Sequence, residues 1–553
     1  MDGTTRQFRY AGRVLSLSML VMGACGMIYE YTLGVLGNHL IGGSHEQLFV
    51  VIGVMMFAMG VGAALQRVVT TRLLDVFVGI EILLGFVGGM ATLAVYASFV
   101  WTTSFQVVLL GFAFLVGCLI GLEIPVAVRV NSEYHRSLRM NLSAILSMDY
   151  VGSLLGALLF AYVLLTRVSI PRIGVSLGIV NIFLSLVVLA YFWPLVRYPR
   201  ALLVASLLSL FVLGVSFAKT DGWMVELEQR CFADPIVHSQ TTSYQHIVLT
   251  ERGDHLQLFI NGQLQFSSRD EAIYHELLVH VPMTLAESRR RVLVLGGGDG
   301  LALREVLRYP DVESVTLVDI DPAITRLAST HPALVVLNEG AFHDARVVTQ
   351  VPGGVLPGRE MGVERPSKLA AKLLDDRTYE LARVRVLNVD ADLFLQETSG
   401  QYDVVLLDFP DPRVVELAKL FSVDFYRTLS WRLAPGGVIA LQATSPYHTS
   451  KAFLSIGKSL GVAGFRALPY HDNVPSFGEW GWYLAWREGA DVKEMEERLA
   501  RVEELSVATS YLTADVLRGA FRFGRGWLKD AVSVEANTKM RPVLVRYLRE
   551  SWR

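Results

Sequence analysis

The chain has 553 residues, too many for one ordinary domain. Hydrophobic residues make up 52% of it and charged residues only 18%, whereas a soluble globular protein carries about one quarter charged residues. With a mean hydropathy of +0.41, part of the chain is expected in a membrane. The net charge of -2 excludes nucleic acid as the main partner, because binding phosphate needs a basic surface. The three cysteines, Cys25, Cys118 and Cys231, are scattered and make neither a disulfide framework nor a metal cluster.

The apolar excess lies before Lys219. Seven runs there are long enough to cross a bilayer as helices, near 14–36, 47–65, 73–97, 105–128, 145–166, 172–193 and 201–218. Residues 1–218 are therefore read as a transmembrane helical bundle, multi-pass in the cell membrane, with the lipid bilayer as a partner. Further spans follow the first run, which marks it as an uncleaved anchor rather than a signal peptide. Gly152 and Gly156 have the small-xxx-small spacing that lets helices approach closely. Arg6, Arg9, Arg13, Arg67, Arg72, Arg129, Arg136, Arg139, Arg197 and Arg200 place the N-terminus inside. Seven spans would then leave the polar half outside, in conflict with a cytosolic co-substrate, and orientation stays open between the two. Glu30, Glu81, Glu123 and Asp149 lie in or beside the spans. They line a path for a cation, or else they pair with Arg129 or Arg139, cap helices or sit at the interface.

Residues 219–285 form a linker and a small β-sheet module. Asp221 to Pro235 reads as a linker on the membrane surface. Strand-like runs follow, with the hairpin signal Asn261-Gly262 between two of them. A helix then opens at Arg269-Asp270-Glu271-Ala272-Ile273-Tyr274-His275-Glu276.

Residues 286–486 carry the densest chemistry. Val292 to Leu295 reads as a buried strand, Gly296 to Gly300 as a tight turn with Asp299 inside it, and Leu301 to Leu307 as a helix. A second strand ends on Asp319. This is the opening of a nucleotide-binding α/β fold, with an acid about 20 residues past the turn placed to hold ribose hydroxyls. Further strands end at Asp390 and Asp408, and Asp411 lies just beyond. Pro435-Gly436-Gly437 reads as a turn before the strand at 438–442. In open α/β sheets ligands bind at the carboxyl ends of the strands. Five acids on that rim suit a reactant with several positive charges and would repel phosphate; alternatively Asp390 and Asp408 only cap the next elements. A surface insertion is expected over about 348–381, with a helix at 367–375. Residues 487–553 form a helical tail without a chemical motif.

Asp270-Glu-Ala-Ile-Tyr-His-Glu276, Gly296-Gly-Gly-Asp-Gly300, Val318-Asp-Ile-Asp321 and Asp408-Phe-Pro-Asp-Pro412, with Tyr244-Gln245 upstream, resemble the polyamine aminopropyltransferase (spermidine synthase) family over about 236–486. Pro475 to Gly481 and the preceding bundle look like its bacterial, membrane-attached branch, which places the chain at a bacterial inner membrane. The resemblance implies a Rossmann-like, class I methyltransferase-like domain. It further implies aminopropyl transfer from decarboxylated S-adenosylmethionine to a diamine, usually putrescine, with no metal, no permanently bound cofactor and a homodimer as one arrangement. On that match Asp408 is the base and Asp411 helps hold the acceptor. Gln245, Gly296, Gly298, Asp299, Asp319, Asp390 and Ala391 form the donor site, with Asp299 on the donor ammonium, Asp319 on the ribose, and Asp390 and Ala391 on the adenine. Tyr274 and His275 contact the reactants, and Tyr470 walls the diamine pocket. Phe409-Pro410 replaces a small polar pair, so the wall beside the base is expected to be reshaped. Two other readings stay open on the residues alone: an S-adenosylmethionine methyltransferase, and a polyamine transporter or sensor without catalysis.

Overall fold

The computed structural model describes residues 11–41, 45–102, 104–132, 138–344, 346–349, 384–529 and 533–551. They form two compact units that divide between Ala233 and Asp234. The first contains seven long helices: α1 (Ala11–Ile41), α2 (His45–Leu65), α3 (Leu73–Trp101), α4 (Phe105–Ser132), α5 (Leu138–Leu159, extended by a π-turn over Phe160–Leu164), α6 (Ile170–Tyr191) and α7 (Pro199–Gln229). All seven are long and apolar enough to cross a membrane. The segment expected to be a surface linker is helical as far as Gln229, since Asp221 to Gln229 contains no Pro and only one Gly to stop the run.

Glycines set the packing of the bundle. A Cβ at Gly152 of α5 would land on the Leu20 carbonyl oxygen of α1, and one at Gly156 would meet the Ala24 backbone. A Cβ at Gly121 of α4 would collide with the Met59 carbonyl of α2. Such backbone approach is how membrane helices gain contact when lipid gives no hydrophobic drive to associate.

The second unit opens with an antiparallel four-stranded sheet in sequential order: β1 (Ile236–Thr241), β2 (His246–Arg252), β3 (His255–Ile260) and β4 (Gln263–Ser267). The Asn261-Gly262 turn joins β3 to β4 with both residues at positive φ, 50° and 74°, as the two-residue hairpin signal predicts. The helix α8 (Glu271–Leu285) follows.

The main sheet has eight strands in the order β11-β12-β10-β9-β5-β6-β8-β7. They are β5 (Arg291–Gly296), β6 (Ser314–Asp319), β7 (Val347–Thr349), β8 (Val384–Asn388), β9 (Tyr402–Asp408), β10 (Leu433–Gln442), β11 (Arg466–Val474) and β12 (Gly478–Trp486). The six strands from β10 to β7 are parallel, while β12 pairs antiparallel with both β10 and β11. The expected insertion begins inside β7, so Val348 and Thr349 are strand, and its helix at 367–375 lies outside the described residues. Pro435-Gly436-Gly437 is not a turn before β10 but a register shift within it, with Gly436 at φ 71°.

The bundle predicts its own sensitivity. Gly152→Val should lower the unfolding midpoint of the detergent-purified full chain by several degrees, on the scale of about 1–3 kcal/mol for overpacking. An unchanged midpoint would mean that the α1–α5 approach is not what holds these helices.

Candidate functional site

The sheet reverses its winding at β5, which has β6 on one side and β9 on the other. A crevice opens at such a switch point, beyond the strand ends. The register puts Gly296 beside Asp408 and Asp319 beside Asn388, so two of the predicted acids reach the rim from neighbouring positions. Gly296, at φ 84°, carries no Cβ where one would strike the Asp408 carbonyl. At Gly298 a Cβ would stand 2.6 Å from Asp319 Oδ2, and its N–H instead donates to that oxygen at 3.0 Å. Asp319 Oδ1 accepts the Asp321 N–H at 2.8 Å. Burial pushes the Asp319 carboxyl up to about 7, while those two N–H groups pull the other way.

His275, Asp299 and Asp408 each bring one polar atom within 4.8 Å of the others. Asp299 comes from the Gly-rich turn, where Oδ1 accepts the Leu301 N–H at 2.9 Å and closes the start of α9 (Leu301–Leu307). Asp408 receives the Tyr274 hydroxyl at 2.8 Å. Tyr274 and His275 project from the first turns of α8, and Glu271 one turn earlier anchors the imidazole: Nδ1 lies 2.9 Å from both Glu271 Oε2 and the Glu271 carbonyl. Burial works against a charge on His275, but Glu271, Asp299 and Asp408 outweigh it and push the imidazole up to about 9. Burial lifts Asp299 to about 6, with the His275 charge opposing and Asp408 adding to the rise. Burial and the neighbouring Asp408 hold the Tyr274 phenol well above its ordinary value, so it remains a donor.

The remaining predicted residues divide. Asp411 is partly buried, and its Oδ1, itself out of water, makes no hydrogen bond of ordinary length. Burial raises it, with Arg413 and Gln442 opposing. Gln245 is held through its backbone, whose N–H donates to Thr242 Oγ1 at 3.1 Å; that hydroxyl donates to Asp321 at 2.7 Å and so ties the small sheet to the rim. Asp390 is a helix cap: Oδ1 accepts the N–H groups of Asp392 and Leu393 ahead of α11 (Ala391–Glu397), with α10 being Pro322–Thr330. Its Oδ2 takes Lys419 Nζ at 2.7 Å. Of the acids expected on the rim, Asp299 and Asp408 converge on His275, Asp319 holds the Gly-rich turn at Gly298, and Asp390 both caps a helix and pairs with Lys419; Ala391 is buried at the first position of α11. Tyr470 departs from the expected pocket wall. It is wholly buried, stacks between Trp482 and Phe521 with centroids 5.6 and 5.0 Å away, and donates its hydroxyl to the Leu277 carbonyl. Phe409 likewise turns into the core against Phe421 and Phe425 instead of reshaping a wall.

Sequence reasoning missed the groups that hold this constellation. Arg304 grips both oxygens of Glu271 at 2.8 and 3.0 Å and donates to Glu305 at 2.7 Å; Glu305 in turn meets His280 at 3.0 Å. The one sequence signal was the i,i+4 spacing of Glu271 and His275. Glu276, 1% exposed, accepts the backbone N–H groups of Ser510, Tyr511 and Leu512 at 2.6, 3.0 and 2.7 Å. The tail is thereby fastened to the helix that bears Tyr274 and His275. Glu276→Ala should raise amide exchange at 510–512 by an order of magnitude or more, since each hydrogen bond to a charged group contributes about 1.5–3 kcal/mol. Exchange unchanged at those amides would show that the tail is held by its apolar contacts alone.

The model of the spermine/spermidine synthase domain matches residues 271–355 and 367–497. Polyamine aminopropyltransferase 1 of Ralstonia nicotianae is 36% identical over 558 aligned residues, covering 100% of this chain and 98% of the relative. Polyamine aminopropyltransferase 1 of Streptomyces coelicolor is 37% identical, covering 100% and 96%. Among solved structures, spermidine synthase from Thermotoga maritima aligns with 54% of this chain and 87% of its own, at 22% identity and a TM-score of 0.41. The curated alignments run the length of both partners, helical bundle included, and on that ground the chain belongs to the polyamine aminopropyltransferase family.

Proposed function

We propose that the chain transfers an aminopropyl group from decarboxylated S-adenosylmethionine to a diamine, putrescine being the simplest that fits. The observation that carries this is the cluster of Asp299 and Asp408 around His275 at the sheet's switch point. The donor presents an ammonium and a sulfonium, and the acceptor two amines, so both reactants bring positive charge to a carboxylate-lined crevice.

Asp299 takes the donor ammonium and Asp319 the ribose hydroxyls beside Gly296 and Gly298. Gln245 flanks the donor from the small sheet. Asp411, with one oxygen out of water and lacking an ordinary hydrogen bond, receives the distal amine of the acceptor. Asp408 receives the proton. The acceptor nitrogen forms a bond to the aminopropyl carbon, the carbon–sulfur bond breaks with its electron pair passing to sulfur, and the neutral thioether methylthioadenosine leaves. The amine's surplus proton goes to Asp408, whose Oδ1 is already fixed by the Tyr274 hydroxyl. His275, protonated and held by Glu271, sets a positive charge beside Asp299 that opposes the rise burial gives that carboxyl.

The bundle's place in a lipid bilayer, with the chain a multi-pass protein of the cell membrane, belongs to the same proposal. Seven apolar helices support it, as do outward-facing Phe49, Phe57, Tyr162, Leu208 and Phe211, each more than 60% exposed. In water that would be an aggregating surface.

Asp408→Asn should cut the transfer rate about 10²–10⁴-fold, the usual range for losing a general base, while donor binding survives. Product formation from decarboxylated donor and a panel of amines checks this. Turnover unchanged in the variant would remove Asp408 as the proton acceptor.

A further inference from the structure

One end of the bundle, where α2 gives way to α3 and α6 to α7, carries guanidinium groups that aminopropyl transfer does not use. Arg67 and Arg72 stand in the first connection, Arg197 in the second, and Arg200 one residue into α7. All four are exposed, and among the described residues no carboxylate pairs with any of their side chains. Asp75 of α3 draws the two connections together. Its carboxylate accepts the Arg197 N–H at 3.1 Å on each oxygen and the Tyr198 N–H at 2.9 Å. Arg129, which the sequence offered as partner to a bundle acid, instead donates to the Gln66 side chain and to the Gln66 and Val69 carbonyls, and so fixes the chain beside the first connection.

An open cleft of about 420 Å³ lies between the connections, with Val68, Val69 and Val76 on its apolar side and Arg72, Asp75 and Tyr198 on its polar side. Ordinary ligand sites run from about 300 to 1,000 Å³. The guanidinium carbons of Arg72 and Arg197 stand 5.4 and 5.6 Å from the centre of the same Tyr198 ring. Arg72 is also held left-handed, at φ 58° and ψ 47°, where it precedes α3. Only glycine adopts that conformation freely. An arginine kept there at a cost in stability points to a use for its side chain.

Two cations thus share one ring, while the one acid in the cleft already accepts three backbone hydrogen bonds. The surplus positive charge selects an anion, and guanidinium groups bind phosphate oxygens in two-pronged fashion. The surroundings select what carries that phosphate. Leu65, Trp193 and Leu195 are exposed at the same end of the bundle, and with Tyr198 they make the apolar and aromatic belt that membrane proteins place at headgroup level. A zwitterionic headgroup would bring its own ammonium to the arginines; an anionic one would not. We propose that this cleft binds the headgroup of an anionic phospholipid, with its phosphodiester held by Arg72 and Arg197 and its glycerol against the valines. The inference rests on the membrane placement proposed above and is independent of the transferase chemistry.

The test is native mass spectrometry of the detergent-purified full chain, titrated with phosphatidylglycerol or phosphatidylcholine of matched acyl chains. The first phosphatidylglycerol should bind about 30-fold tighter than phosphatidylcholine, each of two arginines contributing about fivefold. Arg72→Gly and Arg197→Gln should each lower that preference about fivefold, and the double variant should erase it. Arg167→Gln, at the other end of the bundle, should leave it intact. Arg72→Gly also relieves the left-handed backbone, so its unfolding midpoint should hold or rise, which separates loss of the site from loss of the fold. Equal affinity for the two lipids, or a preference that survives the double variant, would overturn the proposal. Inorganic phosphate binding as tightly as phosphatidylglycerol would overturn it too, making the cleft a site for a soluble anion. Insertion of the chain into neutral-lipid nanodiscs, read first, tests the membrane placement alone: its failure would overturn both readings, whereas insertion without a lipid preference would overturn only this site.

Discussion

Carboxylates can be gathered away from water only where cations are gathered with them, and the polar unit is arranged around that requirement. Each uncompensated buried charge costs several kcal/mol, on the order of the stability of a whole domain. Glu271 meets the requirement in two directions at once. Its oxygens hold the Arg304 guanidinium as a two-pronged pair on one side and the His275 imidazole on the other. Those contacts hold the Glu271 carboxyl below its ordinary value despite burial. Behind this pair, Arg304 and His280 bracket Glu305, which is held down to about 2. In front, His275 presents a positive charge to Asp299 and Asp408. The balance leaves the crevice with more negative than positive charge, which is the condition for drawing in amines.

The fold delivers these groups by separate routes. β5 and the turn after it supply the glycines that leave room for the Asp408 carbonyl and the Asp319 carboxylate. β9 ends on Asp408, and α8 adds Tyr274 and His275 from one turn. The Asp270 cap of α8 accepts the N–H and hydroxyl of Ser476 in the β11–β12 hairpin, and Glu276 takes the tail at 510–512. One helix is thus pinned by the edge hairpin, the tail and the Arg304 network together. Catalytic geometry depends on such support, because misplacement by about 1 Å can cost two orders of magnitude in rate.

The parts legible in the sequence were those set by local chemistry. Seven apolar runs became seven helices, Asn261-Gly262 became a hairpin turn, and the Gly-rich turn sat between strand and helix as its glycines require. What escaped depended on partners distant in sequence. Nothing near Asp390 announces Lys419 as its counter-ion, and nothing near Glu276 announces the amides of 510–512. Tyr470 reads as a wall residue until β11 and β12 pair and enclose it with Trp482. Phe409 looked anomalous beside Asp408, yet its backbone carbonyl faces Gln442 and its ring fills the core. The clustering of Asp299 with Asp408 followed from the rule that strand ends share a rim. The partial offset of its charge by His275 did not, because no sequence pattern states that a histidine is held as a cation.

The account stands on the claim that this carboxylate cluster selects a cationic donor. Its most direct measurement is the affinity of the full chain for decarboxylated against intact S-adenosylmethionine, by calorimetry between about pH 5 and 8, a range that spans the ordinary histidine value. Asp299 is anionic above about 6 and neutral below it, so decarboxylated donor should bind tightly at neutral pH and weaken as pH falls through 6. Intact donor, whose carboxylate would face Asp299, should bind more weakly at neutral pH, and Asp299→Asn should erase the preference, leaving only the acid dependence that Asp319 contributes. Equal affinity for the two donors, or a preference that survives Asp299→Asn, would contradict the account.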